Sequence, residues 1–184
     1  MDQPQDHELM LAVREGDLPQ MGEIFDRYAR RLYNFFLRMT FSPETSEDLV
    51  QDTFRRMLEA RHTYRDNSRF VPWMFTIARS MHSNHRRKRR REGDEVELTD
   101  QILEPRSAPD VEFEKRRNVL LLRTALARLS DEKREAILLS RFENMKYEEI
   151  AQVAGCPVGT IKARVHYALK EMSRVFRELG HEVQ

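Results

Sequence analysis

Several features that restrict what a protein can do are scarce in this chain of 184 residues. A single cysteine, Cys156, excludes an intrachain disulfide and a cysteine-rich zinc site. Only 6 glycines and 7 prolines interrupt it, no run approaches the ~20 apolar residues that cross a bilayer, and no segment alternates as a strand does. With 40% hydrophobic and 34% charged residues, the composition predicts an all-α fold.

The start of the chain gives no sign of an export signal. Residues 1–8 are polar and acidic, whereas an export signal has a basic segment followed by an apolar one. Together with the single cysteine, this predicts a cytoplasmic protein.

Charge is balanced overall but segregated along the chain. The net charge is +1, yet residues 86–91 are six consecutive cations. Residues 92–114 then hold nine acids against one arginine, Arg106. Such runs can simply be solvated surface, but this segregation favours a polyanion as the partner.

Hydrophobic periodicity predicts two helical modules. Residues 1–91 form the first, with helices over about 6–15, 21–39, 43–61 and 70–91, and residues 110–184 form the second, with its last helix over 158–179. Between them, residues 92–109 contain Gly93, Pro105 and Pro109 and no sustained period, which indicates a flexible acidic linker.

Individual residues set the helix ends and the buried faces. Asp6 is expected to cap the first helix, Ser42 followed by Pro43 to start the third, and Gly180 to end the last. Spacings of three and four place apolar residues on buried faces, among them Phe25, Val119, Leu169 and Phe176.

The second module contains a helix-turn-helix pattern. A short helix over 147–154 is followed by Gly155, which can adopt the positive φ of the turn, and by a longer helix from Val158. Such a second helix lies in the DNA major groove. The predicted DNA-contacting residues are Val158, Gly159, Thr160, Lys162, Ala163, Arg164, His166 and Tyr167. The alternative is an ordinary pair of packed helices.

The first module combines aromatic, polar and basic groups near residue 70. Unpaired bases stack on aromatic rings, polar groups contact base edges, and cations bind the phosphates. The predicted single-strand contacts are therefore Tyr64, Arg65, Asp66, Asn67, Ser68, Phe70, Trp73, Arg86, Arg87 and Lys88. Phe70 and Trp73 share helical spacing with Ile77 and Met81, so a place in the core is the alternative for both.

Taken together, these motifs resemble the extracytoplasmic-function (ECF) branch of the bacterial sigma-70 family. The resemblance rests on residues 48–54 (DLVQDTF), 70–79 (FVPWMFTIAR), the basic run, 147–151 (YEEIA) and 159–166 (GTIKARVH). It covers about residues 6–91 and 110–179. It implies sigma domains 2 and 4, joined by a linker with no bulky domain between them.

The resemblance also implies a function, and the function is not enzymatic. Such a protein binds core RNA polymerase, recognises the promoter minus-thirty-five element through domain 4 and the minus-ten element through domain 2, and promotes melting. It implies that Asp48, Gln51, Asp52 and Arg55 contact the β′ clamp coiled coil and that domain 4 lies on the β flap. An anti-sigma factor is an expected partner, and no cofactor, metal or membrane insertion is expected.

Two departures from the family pattern concern the second module. Lys146 stands where a capping serine is frequent, so the helix at 147 is expected to begin less firmly. Tyr167 stands where an arginine is frequent, which removes one expected phosphate contact.

Two functions from other classes compete with this interpretation. A self-sufficient helix-turn-helix regulator would dimerise on a palindromic site, but it gives no reason for the motif at 48–54. A nucleic-acid-processing enzyme would need a catalytic motif. His82, His85 and the scattered carboxylates form no such pattern.

Overall fold

A computed structural model describes residues 4–93 and 110–181 of the chain, with side chains described for 5–93 and 116–179. Its elements are α1 (Pro4–Glu15), α2 (Gln20–Thr40), α3 (Pro43–Glu59), a 3-10 turn (Arg61–Thr63), α4 (Phe70–Glu92), α5 (Asp110–Ala127), α6 (Asp131–Ile137), α7 (Tyr147–Ala154) and α8 (Val158–His181). The all-α prediction is confirmed for these residues. Of the predicted linker, residues 94–109 lie outside the described ranges, and Glu92 still belongs to α4.

In the first module, residues 4–93, α2 packs against α1 and α3, and α4 packs against α3. Its core is rich in aromatic rings, with Phe35 edge-on to both Phe36 and Phe75 and Tyr28 edge-on to Phe70. As predicted, Ser42 caps α3, because its Oγ accepts the Thr45 N–H at 3.2 Å and Pro43 needs no N–H partner.

The second module, residues 110–181, packs α5, α6 and α7 against the long α8. Helix α6 continues from Leu138 to Phe142 as a wider π turn. Arg134 of α6 is buried and donates to three carbonyl oxygens of its own module, those of Leu126, Ala127 and Leu129. This side chain therefore fixes the α5–α6 corner.

Several helix-level expectations need correction. Asp6 is not a cap: it lies inside α1, is 1% exposed, and accepts the Tyr28 hydroxyl and an Arg27 N–H. Four residues predicted to be buried are 39–65% exposed, because the buried stripe of each helix is narrower than its apolar pattern: Phe25, Val119, Leu169 and Phe176. Gly180 does not end α8, which continues to His181.

The two modules touch through α4 against α7 and through α2 against α6. Arg134 contributes a fourth hydrogen bond here, from Nη1 to the carbonyl of Met39 in α2 at 2.9 Å. Arg123 donates to the carbonyl of Phe41 at 3.2 Å. Burial of its guanidinium among these groups lowers the pKa of Arg134 to about 10.

Candidate nucleic-acid interface

The helix-turn-helix forms at the predicted residues. Helix α7 ends at Gly155, whose φ of 64° is the left-handed conformation that glycine adopts without strain. Helices α7 and α8 pack together, and Ile150 and Ala151 of α7 are buried, as are Ile161 and Val165 of α8. The first turns of α8 therefore pack on the module through Ile161 and Val165, and the opposite face of the helix is exposed.

The start of α7 is capped in a way that sequence reasoning did not foresee. The lysine side chain has no acceptor, so Lys146 cannot cap as a serine would. Its backbone N–H instead donates to Oε2 of Glu149 at 2.8 Å, which is the second half of a capping box. The predicted weak start of α7 is therefore partly compensated by Glu149.

The outer face of α8 carries most of the predicted duplex contacts. Gly159, Lys162, Ala163, His166 and Tyr167 are exposed, and Val158, Thr160 and Arg164 are half-buried. The His166 and Tyr167 rings lie edge-on, with centroids 5.4 Å apart. Arg164 Nη1 lies 3.7 Å from the sulfur of Cys156, which holds this guanidinium near the turn. The exposed groups can bind phosphates and base edges.

The loop between the 3-10 turn and α4 is held by several hydrogen bonds. Arg14 of α1 donates to Oδ1 of Asp66 at 2.6 Å and to the carbonyl of Tyr64 at 3.1 Å. The pKa of Arg14 is raised chiefly by the hydrogen bond to Asp66. Ser68 Oγ accepts the Arg65 N–H at 3.1 Å. Sequence reasoning missed Arg14, because nothing in the pattern links residue 14 to residue 66.

Two of the predicted single-strand contacts lie in the core instead. Tyr64 is 1% exposed and Phe70 is 0% exposed, so their rings are covered by neighbouring side chains and cannot stack on a base in this arrangement. The Tyr64 hydroxyl is hydrogen-bonded to His7 Nδ1 at 2.8 Å. These two residues position the loop, whose exposed members are Arg65, Asp66, Asn67 and Arg69.

Trp73 lies half-buried at the foot of this loop. Its Nε1 donates to Thr63 Oγ1 at 3.4 Å, and its ring lies edge-on to Tyr64 with centroids 5.1 Å apart. Trp73 thus fits both predicted roles, base stacking and core packing, since part of its ring packs on the core and part remains accessible.

The basic end of α4 divides into paired and exposed cations. Arg87 and Lys88 are exposed, and Arg87 Nη2 donates to Asn84 Oδ1 at 2.8 Å. Arg86 is half-buried, forms an ion pair with Asp131 of the second module, and has its pKa lowered by burial. Only part of the predicted phosphate-binding tail is therefore open to solvent.

The predicted polymerase-contacting residues form one polar stripe on α3. Asp48, Gln51 and Arg55 are exposed and Asp52 is half-buried. Arg55 Nη2 is 2.9 Å from Asp52 Oδ1, and its Nη1 is 3.0 Å from Glu59 Oε1. The stripe borders a groove of about 700 Å³ between α3 and α4, which the second module leaves open.

Comparison with known proteins identifies the family. The Sigma-70 region 2 model matches residues 24–92, and the Sigma-70 region 4 model matches residues 119–172. The RNA polymerase sigma factor CarQ of Myxococcus xanthus is 31% identical over 174 residues, which cover 95% of this chain and 99% of the relative. The chain belongs to the sigma-70 family.

Further relatives narrow the assignment to the ECF type. The ECF RNA polymerase sigma factor SigL of Mycobacterium tuberculosis is 34% identical over 161 residues, covering 87% of this chain and 90% of the relative. The solved structure of the sigma factor RpoE from Bartonella quintana, in complex with the anti-sigma factor NepR, matches with a TM-score of 0.66 and 26% identity. It covers 85% of this chain and 96% of that chain.

Membership in this family confirms the function and decides against the two competing interpretations. The protein is an ECF sigma factor, a promoter-recognising transcription initiation factor and not an enzyme. Among the described side chains, no group of three or more His, Cys, Asp or Glu residues is placed to hold a metal ion. None of the described helices is both long and apolar enough to cross a membrane.

Proposed function

We propose that the exposed start of α8 binds the minus-thirty-five element and that the loop at 65–68 binds unpaired bases of the minus-ten element. The observation that supports this most directly is the helix-turn-helix turn at Gly155, which leaves Lys162, His166 and Tyr167 on an uncovered helix face. On this assignment, residues 1–91 act as sigma domain 2 and residues 110–184 as sigma domain 4.

Melting needs contacts beyond those of the loop alone. Unpairing and flipping a base costs a few kcal/mol, whereas a base stacked on an aromatic ring recovers about 1–3 kcal/mol. Trp73 is the half-exposed aromatic ring beside the loop, with Arg87 and Lys88 further along α4 for the phosphates. Melting therefore depends on polymerase holding the DNA as well.

The polar stripe of Asp48, Gln51, Asp52 and Arg55 is the proposed site for the polymerase β′ clamp coiled coil. Its ion pairs within α3 order the side chains before a partner arrives, which lowers the entropic penalty of binding. We place the protein in the cytoplasm because its targets, core polymerase and promoter DNA, are there.

An anti-sigma factor is the further partner that we propose. The solved relative with a TM-score of 0.66 is in complex with such a factor, and its match extends over both modules of this chain. The open groove between α3 and α4 would be covered by a partner that blocks polymerase binding.

Transcription with purified core polymerase tests these assignments. Start sites that depend on this protein are first mapped with a genomic fragment library, and run-off transcription from one of them is then measured. Lys162→Ala should lower run-off by about tenfold through loss of a phosphate or base contact. Lys170→Ala, an exposed cation further along α8, is the matched control. Equal activity of the two variants would contradict the assignment of α8.

Two further pairs of variants separate the remaining roles. Asn67→Ala should reduce permanganate reactivity of unpaired promoter bases, and His62→Ala, also exposed but outside the loop, should not. Gln51→Ala should weaken co-elution with core polymerase, and Asp26→Ala on α2 should not. Unchanged co-elution of Gln51→Ala would remove α3 from the polymerase site.

A further inference from the structure

Helix α1 is fixed to the first module through one of its faces. Asp6 is buried and accepts hydrogen bonds from the Tyr28 hydroxyl at 2.5 Å and from Arg27 Nη1 at 2.9 Å, both on α2. Met10 and Val13, one and two turns further along α1, are also buried. These three positions of α1 share a helix face, so α2 and the core hold α1 at a defined place.

Two other residues of α1 contact the loop between the 3-10 turn and α4, residues 64–69, which we call the minus-ten loop. The bonds from Arg14 to Oδ1 of Asp66 and to the carbonyl of Tyr64 both leave from one nitrogen, Nη1. His7 Nδ1 lies 2.8 Å from the Tyr64 hydroxyl. His7 and Arg14 are about two turns apart, so they project from the same side of α1. The helix thus holds the loop at two points.

Tyr64 connects the two ends of the minus-ten loop. Its hydroxyl donates to the carbonyl of Ser68 at 3.3 Å, and because a hydroxyl has one hydrogen, it accepts from Nδ1–H of His7. Ser68 in turn bonds to Arg65, since its N–H donates to the Arg65 carbonyl at 2.9 Å and its Oγ accepts the Arg65 N–H at 3.1 Å. The base of the loop is therefore closed by hydrogen bonds, and its tip is held from α1.

The ion pair at the tip also changes the charge that a DNA strand meets. The side chain of Asp66 is 80% exposed, and an unpaired carboxylate at this place would repel the phosphates of a strand that enters the loop. Arg14 lies on Oδ1 of this carboxylate at 2.6 Å. Helix α1 therefore contributes both order and charge compensation to the minus-ten loop.

The order of a recognition loop directly affects how tightly it binds. A mobile loop loses conformational freedom when it closes on an unpaired base, and this loss weakens binding. A loop that is already fixed loses less. The exposed side chain of Asn67 is then presented by a backbone that is in place before the base arrives.

We propose that His7 and Arg14 are positioning residues for minus-ten recognition, which fix the minus-ten loop from α1 in the conformation that receives an unpaired base. His7 acts through the buried Tyr64, and Arg14 acts through Asp66 and a backbone carbonyl, so neither needs to touch the DNA. This proposal rests on the proposed function of the loop. Loss of either side chain should weaken the binding of unpaired bases and leave the binding of polymerase unchanged.

Trp73 allows the order of the loop to be measured in the full chain without DNA. It is the one tryptophan of the sequence and lies half-buried beside the loop, with its ring centroid 5.1 Å from that of Tyr64. His7→Ala and Arg14→Ala should each raise the acrylamide quenching constant of its fluorescence by about twofold, because a loosened loop exposes the ring. His7→Asn and Arg14→Lys, which keep a donor, should return it towards the original value. Unchanged quenching in either alanine variant would overturn the proposal.

The binding test uses holoenzyme assembled from the full chain and core polymerase, on forked DNA from one of the mapped promoters. One DNA carries the unpaired minus-ten bases, and a second carries abasic sites in their place. The unmodified protein should bind the first about tenfold more tightly, as expected for the stacking of one or two bases. His7→Ala and Arg14→Ala should reduce this ratio to about twofold by weakening binding to the intact DNA alone. His7→Asn and Arg14→Lys should restore most of it.

The ratio of the two affinities separates positioning from other roles of these residues. An equal loss of affinity for both DNAs, as expected if Arg14 bound a phosphate, would overturn the proposal. Arg30→Ala removes an exposed arginine of α2 and is the matched control for charge, so it should keep the ratio of the unmodified protein. Circular dichroism and co-elution with core polymerase verify that each variant is folded.

The same measurement distinguishes this proposal from the minus-ten assignment on which it rests. Equal affinity of the unmodified protein for the two DNAs would overturn the assignment, and the proposal with it. If the unmodified protein distinguishes them and either alanine variant retains the full ratio, the proposal alone is overturned.

Discussion

The two modules differ in how their cores are built. The first contains buried Tyr28, Phe35, Phe36, Phe70 and Phe75, several of them in edge-on contacts, whereas no aromatic side chain is buried among the described side chains of the second. Aromatic rings contribute more buried area per residue than aliphatic ones. Buried aromatic rings therefore stabilise the first module, whereas the second depends more on the hydrogen bonds of Arg134 and on its contact with the first module.

Substitutions in the hydrophobic cores of the two modules should have the largest effect on stability. Phe36→Ala in the first module should lower the free energy of unfolding by about 3–5 kcal/mol, and Val165→Ala in the second by less, because a smaller side chain is removed. Both residues are buried, at 0% and 2% exposed. Chemical denaturation measures both. A larger loss of unfolding free energy for Val165→Ala than for Phe36→Ala would contradict this comparison of the two cores.

The hydrogen bonds of Arg134 should stabilise the second module about as strongly as a buried aromatic ring stabilises the first. Arg134→Met leaves four carbonyl oxygens without their donor, at distances that are now 2.8–3.2 Å, and should destabilise by about 3 kcal/mol. Arg128→Met, which removes an exposed arginine paired with Glu178, should have little effect in the same thermal melt. Similar melting temperatures for the two variants would contradict the role assigned to Arg134.

Acid should destabilise the first module more than the second, because the first contains the buried His82. Burial, together with nearby Arg86, His85 and Arg134, lowers the pKa of His82 from 6.5 to about 4. Between these values the unfolded chain binds the proton and the folded chain does not, so stability falls as pH falls. The free energy of unfolding should fall by about 2 kcal/mol between pH 7 and pH 5 because of His82. His82→Leu should reduce this pH dependence in denaturant titrations, and His62→Leu, at an exposed site, should preserve it.

Helix capping should give the smallest effect, of opposite sign in the two modules. Ser42→Ala removes the cap of α3 and should destabilise by about 1 kcal/mol. Lys146→Ser adds the missing half of the capping box at α7 and should stabilise by about 0.5 kcal/mol. Differential scanning calorimetry measures both. Destabilisation by Lys146→Ser would show that the lysine side chain has a role that the structure does not reveal.

The helices and the helix-turn-helix were predictable because their signals are local. Ser42 and Pro43 start α3, Phe70 starts α4, and Gly155 ends α7, as the sequence predicts. The predicted contacts of the loop were less accurate, because aromatic residues are equally suited to stacking on bases and to filling a core. Tyr64 and Phe70 are in the core, and their spacing could not decide between the two.

Local chemistry in the sequence thus determined where several helices begin or end, such as α3 at Pro43 and α7 before Gly155, and which of their faces are apolar, since capping groups, left-handed turns and helical periodicity act within a few residues. Only the tertiary structure decided which faces are covered, why Phe25 and Val119 remain exposed, and how Arg14 holds the loop. It also decided the ion pairs between the two modules, as between Arg31 and Glu143, which are 112 residues apart. Such contacts depend on how whole helices pack, and no pattern of a few neighbouring residues contains that information.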